Sequence, residues 1–162
     1  LESGGLPIHL AKFDLVQCVQ AAMESVEKLG VSKQMNVYIK EGSPKQLMVI
    51  GDYARIQQVL INLISNGIHY GHIEGEVKVR FYDMEEHVLC EVADNGIGIA
   101  KEHLPRIFER FYRVDKSRSR NDGGSGLGLA ICKHIIEAHQ ETISVRSTEG
   151  IGSTFAFTLK KA

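Results

Sequence analysis

The alternation of apolar and polar positions divides the chain into short, regularly spaced segments. From Asp14, a residue type that caps helices, Leu15, Val16, Val19, Ala22, Met23 and Val26 recur on one side of a helix that runs to Gly30. Residues 35–40 alternate as a strand and 46–50 as its partner, with Gly42-Ser43-Pro44 turning the chain between them. Asp52 opens a long helix to about Tyr70. At about 100° per residue, Ile56, Val59, Leu60, Leu63 and Ile64 form one apolar arc of it. Gln58, Asn62, Asn66 and His69 gather on the opposite arc, with Arg55 near them. Residues 75–82 and 87–93 read as a hairpin with Val77, Val79 and Phe81 on one face. A stretch of little periodicity follows, from Asn95 to about Gly124, with a short helix around residues 102–108. The spacing then predicts a helix over 127–139 and a closing hairpin of 142–146 with 154–159, turned at Gly150 and Gly152. The order is strand, helix, two strands, helix, two strands, long loop, helix, two strands. Strands arriving mostly in antiparallel pairs, with helices between the pairs, predict an α+β two-layer sandwich with a mixed, mostly antiparallel sheet.

The 162 residues suit a single domain, and 43% hydrophobic with 24% charged is the balance of a folded protein. Nineteen Lys and Arg against twenty Asp and Glu leave a net charge of −1, so no global basic field gathers nucleic acid. Three scattered cysteines, Cys18, Cys90 and Cys132, form neither a disulfide framework nor a zinc ribbon and suit a reducing compartment. No apolar run approaches the ~18 residues needed to cross a bilayer, and no direct membrane contact by this chain is expected. Residues 1–6, with a Gly pair before Pro7, have the character of a boundary and an expected tail or linker of something preceding.

Four segments carry chemistry. On the helix from Asp52, Asn62 and Asn66 lie one turn apart on the polar side. That side is either a plain surface or a site, because a side-chain amide oxygen is a neutral hard ligand suited to Mg²⁺ whose other ligands are waters and substrate phosphates. Asp94-Asn95-Gly96-Ile97-Gly98-Ile99 ends a strand with a carboxylate followed by two glycines. It supports an Asx-turn, and equally an acceptor for an exocyclic amine such as that of adenine. Gly123-Gly124-Ser125-Gly126-Leu127-Gly128-Leu129 runs into a helix N-terminus, where free N–H groups and the dipole favour an anion. Neither the dinucleotide fingerprint nor the P-loop spacing is present. Between these, residues 106–120 hold six cations interleaved with Phe108, Phe111 and Tyr112. Such a mixture suits single-stranded nucleic acid, or a lid whose aromatics dock it while a cation such as Arg113 meets a phosphate.

Taken in this order, the four segments resemble the N, G1, F and G2 boxes of the catalytic and ATP-binding domain of bacterial sensor histidine kinases, within the superfamily that includes DNA gyrase, Hsp90 and MutL. The Phe-Tyr-Arg-Val-Asp-Lys stretch is most similar to kinases of the phosphate-responsive and cell-wall-sensing type. The resemblance implies a Bergerat (GHKL) fold, with ATP between the long helix and a lid at about 109–125. It implies Asn66 as the Mg²⁺ ligand, Asn62 near the phosphates, Asp94 on the adenine amine, Gly96 and Gly98 giving backbone access and Tyr70 flanking the base. Arg113 would reach the terminal phosphate, and Gly124, Ser125, Gly126, Leu127 and Gly128 would wrap the triphosphate. His69 stands where the family often has Lys, so ATP binding is expected to tighten as pH falls through about 6.5. Gln140-Glu141 follow His139 where the family often has Gly-Gly, which makes a left-handed helix cap less comfortable.

The implied partners are ATP, a helical dimerisation domain carrying the phosphoacceptor His, and a response regulator. Residues 1–6 would be the tail of that helical domain, residues 7–162 the catalytic domain, and the whole a cytoplasmic part of a membrane-anchored protein. None of the seven His lies ahead of the domain on a kinase-type helical hairpin, His9 being placed before the fold, so self-phosphorylation is not expected. Neither His69 with His72 nor Cys132 with His134 completes a metal ligand set. Two other readings remain at this point: an ATPase or serine kinase of the same superfamily, and a non-catalytic nucleotide sensor. Residues 113–124, rich in charge and poor in apolar anchors, are expected to be mobile without nucleotide.

Overall fold

The computed structural model describes residues 5–114 and 128–162. In chain order the elements are β1 (Ala11–Asp14), α1 (Leu15–Ser25), α2 (Glu27–Ser32), β2 (Asn36–Ile39), β3 (Met48–Gly51), α3 (Tyr53–His69), β4 (Glu76–Asp83), β5 (His87–Asp94), a short 3₁₀ helix (Lys101–Arg106), α4 (Gly128–Ala138), β6 (Ile143–Thr148) and β7 (Gly152–Lys161). The strands form one seven-stranded sheet in the order β1-β3-β7-β5-β4-β2, with β6 also paired to β7. The β2–β4 pair is parallel and the others are antiparallel, so the sheet is mixed and mostly antiparallel, as expected.

Alternation along the strands puts Val77, Val79, Val88, Cys90, Val92, Phe155, Phe157 and Leu159 into one core with the helices. The apolar arc expected of α3, from Ile56 to Ile64, is wholly buried there, each side chain contributing about 2 kcal/mol of transfer free energy. α1 and α4 both pack against α3, which is thereby the central helix of its layer. The opposite sheet face carries Glu91, whose carboxylate accepts from Arg80 Nε at 3.0 Å and from Arg146 Nη1 at 2.9 Å. Burial alone would raise the Glu91 carboxyl, but the Arg146 and Arg80 contacts outweigh it and hold it below the ordinary carboxylate range. All three cysteines are free thiols in the core, and burial pushes Cys18 and Cys132 up to about 12, where they are unreactive.

Three local expectations are corrected. The strands on either side of Gly42-Ser43-Pro44 are not partners: β2 lies parallel beside β4, and β3 lies between β1 and β7. A turn signal reports a local reversal, whereas pairing is decided by which apolar faces must be covered. The first helix does not run unbroken to Gly30; it ends at Val26, whose φ of −110° and ψ of 11° leave the helical region, and resumes at Glu27. His9 is not ahead of the fold. Its N–H donates to the Asp52 carboxylate at 2.9 Å, and the nearby Leu6 packs on the core.

The start of α3 and the end of α4 meet at one end of the helix layer, where these contacts cap both. Asp52 also accepts from Arg55 N–H at 3.3 Å, and its own N–H donates to His139 Nε2 at 3.0 Å. Burial of Asp52 would raise its carboxyl, but the His9 and Arg55 N–H groups with the adjacent imidazoles bring it below the ordinary range. At the end of α4, Glu141 N–H reaches the Ile136 carbonyl at 3.1 Å and Gln140 N–H the Glu137 carbonyl at 2.8 Å. That is a Schellman cap, and Gln140 adopts the left-handed φ of 60° in place of a glycine.

Candidate functional site

The C-terminal half of α3, the loop leaving β5 and the first turn of α4 converge at one end of the helix layer. Along α3 the side chains of Arg55, Gln58, Asn62, Asn66 and His69, with Tyr70 just beyond, are half-buried beside the fully buried arc. Asn62 Nδ2 donates to the Gly128 carbonyl at 3.3 Å, which ties α3 to the first residue of α4. The Asn66 side chain takes part in no hydrogen bond among the described residues, and its main-chain oxygen accepts from Tyr70 N–H at 3.1 Å. A half-buried, uncommitted amide oxygen is the donor chemistry that Mg²⁺ accepts. Among the described residues no group of three His, Cys, Asp or Glu converges as a metal cage. His72 lies near Asp94, whereas His134 is exposed on the side of α4 away from buried Cys132.

Asp94 ends β5 opposite Val77 and Ser153 and points toward α3, where a Cβ on Gly67 would lie 3.5 Å from its own Cβ. Its Oδ1 accepts Gly96 N–H at 2.9 Å. Burial pushes the carboxyl up from its ordinary value, and the N–H groups of Gly96 and Ser153 with nearby His72 offset only part of that rise. A carboxylate so held is acceptor-only and has little water to satisfy it.

The two glycines of this loop are required for different reasons. A Cβ on Gly96 would sit 2.3 Å from the Tyr70 carbonyl oxygen, so only glycine permits the loop to lie against the end of α3, where Ile97 N–H donates to that same oxygen at 3.1 Å. Gly98 has φ +72°, and a Cβ there would meet the Thr148 oxygen at 2.2 Å. Gly150 N–H donates to the Ile97 carbonyl at 2.7 Å and Ile99 N–H to Ser147 Oγ at 2.7 Å. The loop is thus clamped between the α3 terminus and the β6–β7 turn. Asn95 Oδ1 accepts Glu76 N–H at 2.9 Å, fixing it to β4 as well.

After the 3₁₀ helix, Phe108 packs edge-on against Phe155 with ring centroids 6.0 Å apart, so one expected aromatic anchor docks on the core. Phe111 does not: it is exposed with φ 66°. Tyr112 instead hydrogen-bonds His103 within its own segment and lies under the Arg106 guanidinium at 4.6 Å. Arg113 is half-buried just beyond. Gly128 opens α4 with open space where a side chain would project. Gly124, Ser125, Gly126 and Leu127, and the expected mobile stretch beyond Val114, lie outside the described residues.

Sequence reasoning missed Lys33, Asn95, Ser147 and Ser153, which hold the end of α3 and the 94–99 loop in place. Asn95 had a signal in its position within Asp-Asn-Gly; the others are paired with residues far away in the chain and carried none.

Residues 51–162 match the family described as histidine kinase-, DNA gyrase B- and HSP90-like ATPase. The chain is similar to the phosphate regulon sensor protein PhoR of Pseudomonas aeruginosa, 45% identical over 65% of this chain and 24% of that protein. It is also similar to the sensor histidine kinase WalK of Bacillus subtilis, 38% identical over 94% of this chain and 27% of that protein. It therefore spans about a quarter of the length of these curated relatives. Among solved structures, the catalytic domain of histidine kinase ThkA superposes with a TM-score of 0.82 at 29% identity, covering 95% of this chain and 99% of that one. ThkA in complex with the response regulator protein TrrA superposes at 0.77 and 27% identity, over 94% of this chain and 42% of that one. The chain belongs to the histidine kinase-, DNA gyrase B- and HSP90-like ATPase family, as a catalytic and ATP-binding domain of the sensor histidine kinase type.

Proposed function

We propose that the cleft bounded by α3, the Asp94–Ile99 loop and the start of α4 binds ATP with Mg²⁺ and presents its γ-phosphoryl group to a histidine on a separate helical dimerisation domain, for relay to an aspartate of a response regulator. The observation that carries this reading is the half-buried Asp94 carboxylate, held by Gly96 and Ser153 N–H groups beside the polar edge of α3. A carboxylate accepts a hydrogen bond from the exocyclic amine of adenine and repels the carbonyl that guanine places there. Asn66 supplies the amide oxygen for the metal, and Asn62 holds the start of α4 against α3. His69 and Tyr70 border the phosphate and base ends of the cleft; Gly96 and Gly98 let the main chain approach the base. Bound at Asn66, Mg²⁺ would neutralise charge on the phosphate oxygens. Phosphoryl transfer needs mainly positioning and charge stabilisation, which an Arg at 113 and the N–H groups of Gly124, Ser125, Gly126, Leu127 and Gly128 are suited to provide.

The same reading makes residues 7–162 the catalytic unit, 1–6 the tail of the dimerisation domain and about 109–125 the lid. It places the domain on the cytoplasmic side of a membrane-anchored kinase, with no nucleic-acid partner and no membrane contact of its own. No helix among the described residues is long and apolar enough to cross a membrane. ThkA, captured with its regulator, supports a response-regulator partner.

Calorimetric titration with Mg-ATP and Mg-GTP tests the site: heat with the adenine nucleotide and much weaker uptake of the guanine one are expected. Labelled ATP should leave the chain unlabelled by itself and label the dimerisation hairpin of the same kinase when that is added. Steady ATP hydrolysis without any His acceptor would instead favour an ATPase, and no nucleotide heat at all would end the proposal.

A further inference from the structure

Lys33, just beyond α2, is built into the foundation of the site. Its Nζ donates to the carbonyl oxygens of Ile68 at 2.8 Å, His69 at 2.9 Å and Gly71 at 3.0 Å. An ammonium carries three N–H donors, so all of them are used on one turn of chain. Two of these carbonyls end α3 and the third follows it, and the Ile68 oxygen also accepts Gly71 N–H at 3.1 Å; at a helix C-terminus such a positive charge complements the dipole. The Lys33 carbonyl in turn accepts Glu74 N–H at 2.9 Å, so one residue grips the segment after α3 through both its side chain and its main chain.

What Lys33 grips is the support of the base-facing loop. The Tyr70 carbonyl, between the gripped His69 and Gly71, accepts Ile97 N–H at 3.1 Å, and it is the atom a Cβ on Gly96 would strike at 2.3 Å. Gly96 N–H in turn holds the Asp94 carboxylate at 2.9 Å. A continuous path of short contacts therefore runs from the ammonium, through the turn after α3, to the carboxylate.

We propose that Lys33 is a positioning residue for base selection: its ammonium fixes the 69–71 turn so that the 94–97 loop, resting on it, aims Asp94 at the exocyclic amine of adenine. The proposal rests on the adenine-nucleotide reading of the cleft. A simple helix cap would contribute stability alone, and a set of measurements on the 162-residue chain separates the two.

Lys33→Met keeps the length of the stem and removes the three donors. Titration calorimetry should show Mg-ATP affinity reduced about tenfold with Mg-GTP affinity little changed, so that preference for adenine shrinks by a similar factor. Lys33→Arg, which keeps the charge, should recover part of it. In an Asp94→Asn background, Lys33→Met should move the ATP-to-GTP ratio less than about twofold, because the group being aimed is gone. In the nucleotide-free protein, hydrogen exchange at the Ile97 amide should quicken about tenfold in Lys33→Met while Val92, in the middle of β5, is unchanged. An unchanged ATP-to-GTP ratio with a lower melting temperature would make Lys33 a stabilising cap and overturn the proposal, as would unaltered Ile97 exchange. If the unaltered chain binds no adenine nucleotide, the reading of the cleft and the base-selection role fall together. Quickened Ile97 exchange would then still show that Lys33 holds the loop.

Discussion

Replacing Gly96 by alanine puts a methyl carbon 2.3 Å from the Tyr70 oxygen and 2.9 Å from the Tyr70 carbonyl carbon. Real Cβ atoms essentially never come within 3.0 Å of such neighbours, and both of these are main-chain atoms that no rotamer change can withdraw. The loop and the end of α3 must therefore part by roughly 0.7 Å or more, an overpacking that costs about 1–3 kcal/mol. The parting also stretches the 3.1 Å bond from Ile97 N–H to Tyr70, worth about 1 kcal/mol. The total of about 2–4 kcal/mol predicts a fall in melting temperature of about 5–12 °C for a domain of this size. The same displacement moves Asp94, and loss of its hydrogen bond to the base, about 1.5–3 kcal/mol for a charged acceptor, costs about ten- to a hundredfold in Mg-ATP affinity. Differential scanning calorimetry and nucleotide titration read the two effects. Gly128→Ala is the stability control, since a Cβ there meets nothing within 4 Å. A Gly96→Ala protein that melts within 1 °C of the parent and binds Mg-ATP within about threefold would show that the close approach to Tyr70 does not shape the site.

Three further outcomes follow from charges and backbone geometry. The Asp94 carboxyl is raised in the fold, so its protonation favours the folded state in acid and its ionisation above the raised value costs stability. Adenine needs the ionised form, so ADP affinity should fall on acidification, beginning above the ordinary carboxylate range because the carboxyl is raised, and Asp94→Asn should flatten that profile. Glu91 has the opposite sign: its carboxyl is lowered, so its contribution is complete above the ordinary carboxylate range and is lost as pH falls through the lowered value. Urea titrations should find Glu91→Ala costing about 3 kcal/mol, because the mostly covered Arg80 loses its partner, and Arg146→Ala under about 1 kcal/mol, because that side chain is 65% exposed. Gln140→Gly removes a left-handed strain of about 1–2 kcal/mol at the cost of a freer unfolded chain, about 0.5–1 kcal/mol. A melting temperature raised by about 2 °C is expected, and a lowered one would contradict the cap assignment.

The helices and hairpins were legible where periodicity is strong and local. The buried arc of α3 and the β4–β5 and β6–β7 pairs can be read from alternation alone, because each satisfies its own neighbours. The β2–β3 turn was misread as a hairpin because the deciding partner of β2 is β4, on the far side of α3 in sequence. Within the site, Asp94, Asn62 and Asn66 could be nominated because amides on a helix face and a carboxylate before two glycines are unusual in themselves. Lys33 could not be nominated. A lysine after a short helix resembles any solvated lysine until the carbonyls it meets, 35 to 38 residues onward, are brought to it. The bond between Asp52 N–H and His139 was hidden in the same way, by 87 residues of chain.

The position of β7 has a consequence for biosynthesis. This strand comes last in chain order, yet it lies between β3 and β5 and also carries β6. While a ribosome is still making the preceding segments, β1 with β3 and β5 with β4 and β2 are two separate ribbons with open edges. The domain therefore cannot close cotranslationally until residues 152–161 have left the exit tunnel, and until then its exposed edges are the surfaces a chaperone would have to guard.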